Sequence, residues 1–259
     1  MSELKMSILY LGYIGCQYFR LVECSDASRL YRSPITAILI QHSVLGNILY
    51  DTGNSPYHRT EYGQAINQIY PVREFIPIED ALKQRGLTCA DIDMLILSHL
   101  HFDHVGGLKY FAGTKGIKNI IVAEDELLSA CRSVYTGESG AYVKSLFDVD
   151  GAVYKTITGE VHLADDITLF VQKSHTPGVI GMRLNTKSKG NIIVTSDTVY
   201  TRESYEKQLP PGGNINKTKS EFFDNLDRLK DMQTTYHAEL FFGHDYDQAL
   251  VWKNIGIIQ

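Results

Sequence analysis

The stretch Leu97–Gly107, LSHLHFDHVGG, places three histidines and one aspartate within the six residues His99–His104. The whole chain contains nine histidines, so this clustering asks for a chemical reason. In extended backbone the side chains of residues i and i+2 point to the same side. His99 and His101 can therefore reach one cation together. Asp103 and His104 follow on the turn and can reach a second cation beside it. Neutral imidazole and carboxylate suit zinc and other first-row divalent metals. The plain alternative is a polar loop of scattered, hydrogen-bonded histidines, and only further ligands elsewhere in the chain displace it.

Three such positions stand out, each just past an apolar, strand-like run. His175 lies in KSHTPG, where Pro177 and Gly178 force a turn. Asp197 ends NIIVTSD, and His244 sits in LFFGHD. Taken singly, each reads as an ordinary loop residue. Taken with the first cluster, they complete two three-ligand sites and one shared carboxylate, at strand exits where loops carry function.

Working outward, the 259 residues suffice for one large α/β domain or two small ones. A net charge of -5 without a clustered basic face excludes a nucleic-acid backbone as the expected partner. The pair Lys187 and Lys189 reads as a solvated turn. Cys16, Cys24, Cys89 and Cys131 form no C-x-x-C pair, and a chain this long needs no stapling, so reduced thiols in the cytoplasm are expected. The early apolar run LKMSILYLGY is too short for a signal-peptide core and fits a first strand. No run approaches the roughly 18 apolar residues of a membrane span.

Strands are expected at SILYLGY, TAILIQ and NILYDTG, the last two forming a hairpin around HSVLG. Further strands are expected at IDMLILS, IKNIIVA, DITLFVQ, GMRLNT, NIIVTSD and AELFFGHD. IPIEDALKQRG reads as a helix stopped by Gly86, and VGGLKYF starts a short one. TKSEFFDNLDRLKDMQ is the clearest helix. Thr218 and Glu221 fit a capping box, and Phe222, Leu226, Leu229 and Met232 recur at helical spacing as a core face. Residues 16–34, 52–75 and 132–159 show no clear pattern and are expected as loops or small helices around a site. Grouped strands with interspersed helices suggest an α/β fold of two sheets packed face to face, helices outside.

The motifs SHLHFDHVGG, HTPG, SD and FFGHD resemble the metallo-β-lactamase superfamily of binuclear hydrolases, over about residues 6–246. Within it the chain is most similar to the N-acyl-homoserine lactonases, which share the tyrosine three residues after the bridging aspartate, here Tyr200 in SDTVY. The resemblance implies a four-layer αβ/βα sandwich as a single hydrolase domain over residues 1–259. It implies two divalent metal ions, zinc first, although the ligands also suit cobalt, manganese or iron. His99, His101 and His175 would hold one cation, Asp103, His104 and His244 the other, and Asp197 would bridge them. Asp51 in LYDTG matches an aspartate that orients a ligand histidine. Its alternative is a plain Asp-Thr-Gly turn. Many relatives carry a histidine directly after H-[ST]-P-G, where this chain has Val179; that histidine is not a ligand, so the difference bears on substrate preference.

Such a centre implies hydrolysis of an ester, thioester, lactone or amide, because metal coordination lowers the pKa of water to about 7. For a lactone, a metal-bridging hydroxide attacks the ring carbonyl, the metals and Tyr200 stabilise the oxyanion, and Asp103 passes a proton to the leaving alkoxide. The expected partner is a small-molecule lactone or ester, N-acyl homoserine lactones first, with the chain acting as monomer or homodimer. A glyoxalase II-like thioesterase, a pyridoxolactonase-like enzyme and a non-catalytic metal-stabilised binding protein are the alternatives. Asp197 stands where several β-lactam hydrolases carry a cysteine. Phe102 can face substrate or core. Tyr18, Phe19, Tyr31, Tyr57 and Tyr62 can wall an acyl tail or simply pack locally.

Overall fold

The computed structural model describes residues 3–23, 26–138, 140–212 and 219–259. Seven strands form the first sheet: β1 (Leu4–Gln17), β2 (Leu30–His42), β3 (Gly46–Tyr50), β4 (Val72–Phe75), β5 (Met94–Ile96), β6 (Ile120–Ala123) and β7 (Tyr154–Ile157), in the order β4-β1-β2-β3-β5-β6-β7. Five form the second: β8 (Glu160–Ala164), β9 (Ile167–Gln172), β10 (Val179–Thr186), β11 (Gly190–Val194) and β12 (Glu239–Phe241), in the order β12-β11-β10-β9-β8. β1, β2 and β3 pair antiparallel, whereas β3, β5, β6 and β7 run parallel. The expected hairpin across HSVLG is present as β2 and β3.

The helices are α1 (His58–Glu61), α2 (Gly63–Ile69), α3 (Ile78–Lys83), α4 (Phe102–Val105), α5 (Glu124–Thr136), α6 (Lys144–Phe147), α7 (Arg202–Lys207), α8 (Lys219–Tyr236) and α9 (Tyr246–Ile255). Three apolar layers separate four structural ones. Met6, Ile8, Ile38, Ile40 and Ile96 of the first sheet meet Leu169, Ile180, Met182, Ile192 and Phe241 of the second. The outer face of the first sheet, with Leu9, Leu39 and Leu95, packs against Leu82, Val105 and Ala130 from helices. On the outer face of the second, Phe222, Leu226 and Leu229 of α8 cover Phe170, Ile193 and Leu240. The result is the expected sandwich of two sheets between helical layers.

Some elements differ from expectation. Residues 16–34 hold the ends of β1 and β2, which pair as far as Gln17↔Leu30, and between them the 3-10 turn Tyr18–Arg20; the expected small helical turn is there, and the strand ends are the difference. Residues 52–75 hold α1, α2 and the edge strand β4, and residues 132–159 hold the end of α5, α6 and β7. β4 and β7 lie at sheet edges with exposed middles, which removes the apolar alternation that marks a strand. α5 had a readable signal: Leu127, Ala130, Cys131 and Val134 follow helical spacing. The short helix expected in VGGLKYF is present as the 3-10 turn Leu108–Phe111, and a separate turn, α4, precedes it from Phe102 with His101 as its extended N-cap. Asp103 and His104 therefore sit on a helical turn. Thr218 of the expected capping box lies outside the described residues. Cys16, Cys89 and Cys131 are free thiols. Among the described residues no helix is long and apolar enough to cross a membrane.

Candidate metal centre

Each predicted ligand follows a strand. His99 and His101 leave β5, His175 follows β9, Asp197 follows β11 and His244 follows β12. The glycine pair that closes LSHLHFDHVGG has a packing reason. A Cβ on Gly106 would fall 2.3 Å from the Ser55 nitrogen, and one on Gly107 2.3 Å from the Thr52 oxygen. With only hydrogen there, the helical turn carrying Asp103 and His104 lies directly on the loop after β3. Thr52 donates its N–H to the His104 carbonyl at 2.7 Å.

The seven predicted ligands converge. His99, His101 and His175 bring ring nitrogens within 4.8 Å of one another, as Asp103, His104 and His244 do with their ligand atoms. Asp197 lies between the two groups. Its Oδ1 is 3.1 Å from His244 Nε2 and 3.3 Å from His104 Nε2. Its Oδ2 is 3.4 Å from His175 Nε2 and 3.7 Å from His99 Nε2. Ser196, just before it, adopts φ 49°, a left-handed conformation unusual outside glycine that sets the direction of the aspartate.

The donor set fits divalent cations. Nε2 of His99, Nε2 of His104 and Oδ1 of Asp197 are buried and make no hydrogen bond despite their closeness. A buried polar atom without a partner costs about 1–3 kcal/mol. Cations among these atoms would take up the lone pairs that hydrogen bonds leave unused. His101 Nδ1 and His175 Nε2 lie 2.8 Å apart, so two further lone pairs can face one point.

Electrostatics divides the histidines. Burial, reinforced by neighbouring imidazoles, holds His99 and His101 well below the usual histidine range, and burial pushes His175 down to about 4. These three are neutral, the form that donates a lone pair. Burial opposes charge on His104 too, but Asp197, Asp103 and Asp51 outweigh it and raise its pKa. For His244, Asp197 and Asp103 likewise outweigh burial. Burial raises Asp103, whereas His244, His104 and His99 overcome burial to hold Asp197 well below the carboxylate range.

Fixed partners aim the rings. Asp51 accepts the Ser98 N–H at 2.7 Å and the Ser98 hydroxyl at 2.7 Å, and its Oδ2 lies 2.8 Å from His104 Nδ1. It does so at φ 62°, which a short aspartate tolerates. It is therefore not a plain turn residue. His244 Nδ1 is 3.0 Å from the Pro34 carbonyl and 2.9 Å from the Ser33 hydroxyl, which turns Nε2 toward Asp197. The Tyr200 hydroxyl lies 2.8 Å from His175 Nδ1. Phe102 points into the core, against Tyr62 and Tyr70. Tyr62 is also core, its hydroxyl bonded to Asn54 and the Phe102 carbonyl, whereas Tyr57 is 60% exposed. Tyr18 and Tyr31 cluster with Cys16, Tyr70 and Tyr200 beside the centre. The Arg20 guanidinium covers Phe19 and Tyr70. Val179 is the first residue of β10, fully buried, and is a packing position. Reading the sequence missed Glu126, whose carboxylate is fully buried and pushed up to about 7 by that burial.

The family model of the Metallo-beta-lactamase superfamily matches residues 30–244. The chain belongs to the metallo-beta-lactamase superfamily. It is a hydrolase with that superfamily's two-sheet α/β fold. An N-acyl homoserine lactonase of Bacillus cereus is 31% identical to it over 209 residues, 78% of each chain. The structure of a B. thuringiensis AiiA variant, with N-decanoyl-L-homoserine bound at the active site, matches this metallo-beta-lactamase chain with a TM-score of 0.80 at 25% identity, covering 97% of both. An N-acyl homoserine lactone hydrolase with the product N-hexanoyl-L-homoserine at its catalytic metal center matches with the same score, identity and coverage.

Proposed function

We propose that this chain opens the ring of N-acyl homoserine lactones as a binuclear metal-dependent hydrolase, residues 1–259 acting as one domain in the cytoplasm. The observation that carries the reading is the division of Asp197, one carboxylate oxygen toward His104 and His244 and the other toward His99 and His175. A carboxylate so placed suits a bridge between two cations. His99, His101 and His175 would hold one of them, and Asp103, His104 and His244 the other. Zinc suits these ligands first. Bound there, such ions supply Lewis acidity and lower the pKa of water to about 7.

The chain's own groups do the rest. With Nε2 of His175 turned to a cation, its Nδ1 carries the ring proton and donates to the Tyr200 oxygen. The Tyr200 O–H is then free to donate to the oxyanion that develops on the lactone carbonyl. The second oxygen of the Asp103 carboxylate, the one not holding a cation, would take up the proton released as the hydroxide adds and pass it to the departing alkoxide. The cluster of Cys16, Tyr70 and Tyr200 offers a wall for the acyl group. The lactonase relatives support lactones over the thioesters and other esters that the same ligand set can cleave.

A panel of lactones with varied acyl chains, scored by acid release, tests the reading. Turnover of acyl-homoserine lactones, lost on chelation and restored by Zn2+, is expected. No turnover of any lactone alongside efficient thioester cleavage would overturn it.

A further inference from the structure

We propose that Glu126 is a positioning residue for the metal centre, acting through Leu100 and Tyr142 on the histidines that flank and face them. The inference rests on the metal-hydrolase reading above. Glu126 lies in the first turn of α5 and is fully buried. Burying a carboxylate is costly unless hydrogen bonds satisfy it. Oε1 accepts the Leu100 N–H at 2.8 Å, and Oε2 accepts the Tyr142 hydroxyl at 3.2 Å.

Both donors adjoin the ligands. Leu100 stands between His99 and His101, so its peptide orientation decides whether the two rings face the same side. Tyr142 forms a backbone bridge with His101, and its ring lies 4.8 Å from the His101 ring at 58°. The next residue is pinned as well, since Phe102 donates its N–H to the Ala141 carbonyl at 3.1 Å. The other side of Glu126 meets the turn after His175. A Cβ on Gly178 would lie 2.9 Å from the Glu126 nitrogen and 3.1 Å from its Cβ, so glycine lets that turn rest on the glutamate. One side chain thus touches both segments that supply His99, His101 and His175. Packing alone would be served by a leucine; the carboxylate is what aims the Leu100 N–H and the Tyr142 hydroxyl.

The test compares the full-length wild type with Glu126→Gln, Glu126→Leu and Tyr142→Phe. Metal-free protein is titrated with Co2+ against a chromophoric chelator, and the visible spectrum of the Co2+ form is recorded beside far-UV circular dichroism. Glu126→Leu should weaken Co2+ binding about 10- to 100-fold and shift the Co2+ bands. Glu126→Gln keeps an acceptor for Leu100 and should restore most of the affinity. Tyr142→Phe, which loses one hydroxyl, should show a smaller loss and a shift of the same bands. A folded Glu126→Leu protein with wild-type affinity and spectrum would overturn the proposal. If that variant does not fold, wild-type affinity and spectrum in both Glu126→Gln and Tyr142→Phe would overturn it instead. A wild type that binds no Co2+ would overturn the metal reading and this one together, whereas normal wild-type binding with unaffected variants would overturn this one alone.

Discussion

The Tyr200 hydroxyl lies 2.8 Å from Nδ1 of His175, on the side of the ring opposite the nitrogen that faces Asp197. The contact fixes the ring and leaves the phenol proton available to a substrate. Tyr200→Phe is expected to lower kcat/KM for lactones about 100- to 1,000-fold, the range for loss of one oxyanion donor. Metal content, measured by elemental analysis, should stay at the wild-type level. Loss of metal in this variant would show that the tyrosine serves the ligand and not the reaction.

Asp51 holds His104 from behind at 2.8 Å and is itself held by Ser98. Asp51→Asn keeps the size but removes the charge that favours this geometry. Cation affinity should fall about 10- to 100-fold, as is typical when a group behind a ligand histidine is changed. Isothermal titration with Zn2+ against a competing chelator measures this. An unchanged affinity would mean that the Ser98 and Thr52 contacts alone orient the histidine.

His175 sets a pH dependence in the metal-free protein. Its folded pKa is about 4, below the ordinary value near 6.5. Between these values the unfolded chain takes up a proton that the folded chain does not, so this residue costs stability as pH falls from 6.5 to 4. The shift corresponds to up to about 3 kcal/mol. Glu126, raised to about 7, works in the opposite sense, so a difference measurement is needed. Urea unfolding of chelated wild type and His175→Asn at both pH values should show the smaller acid loss in the variant. An equal loss in both would contradict a neutral, buried His175.

Phe222 anchors α8 on the outer face of the second sheet, in the chain between Asp197 and His244. Phe222→Ala should cost about 3–5 kcal/mol of stability, the usual range for a buried phenylalanine. Denaturant melts check the loss, and Zn2+ stoichiometry in the folded protein should not change. A loss of metal would tie the outer helix to the centre.

Much of the centre was legible because it is local. His99, His101, Asp103 and His104 are adjacent, and backbone geometry over a few residues limits where their side chains can go. His175, Asp197 and His244 were legible as polar residues at the exits of apolar runs, and the strands β9, β11 and β12 precede them as expected. The edge strands β4 and β7 were not, because a half-exposed strand loses the alternation that reveals it. Glu126 was not legible either. One glutamate among several at the start of a helix carries no mark of burial until the sheet and the ligand segment close over it.

The sequence by itself determined the clustered imidazole and carboxylate donors, the strand runs and the two-sheet plan, since these follow from residue type and short-range periodicity. Only the tertiary structure decided how Asp197 divides its two oxygens, that Phe102 turns into the core against Tyr62 and Tyr70, and that Tyr200 meets His175. Those outcomes depend on packing between segments far apart in the chain, where sheet pairing and core shape set directions that neither side chain specifies alone.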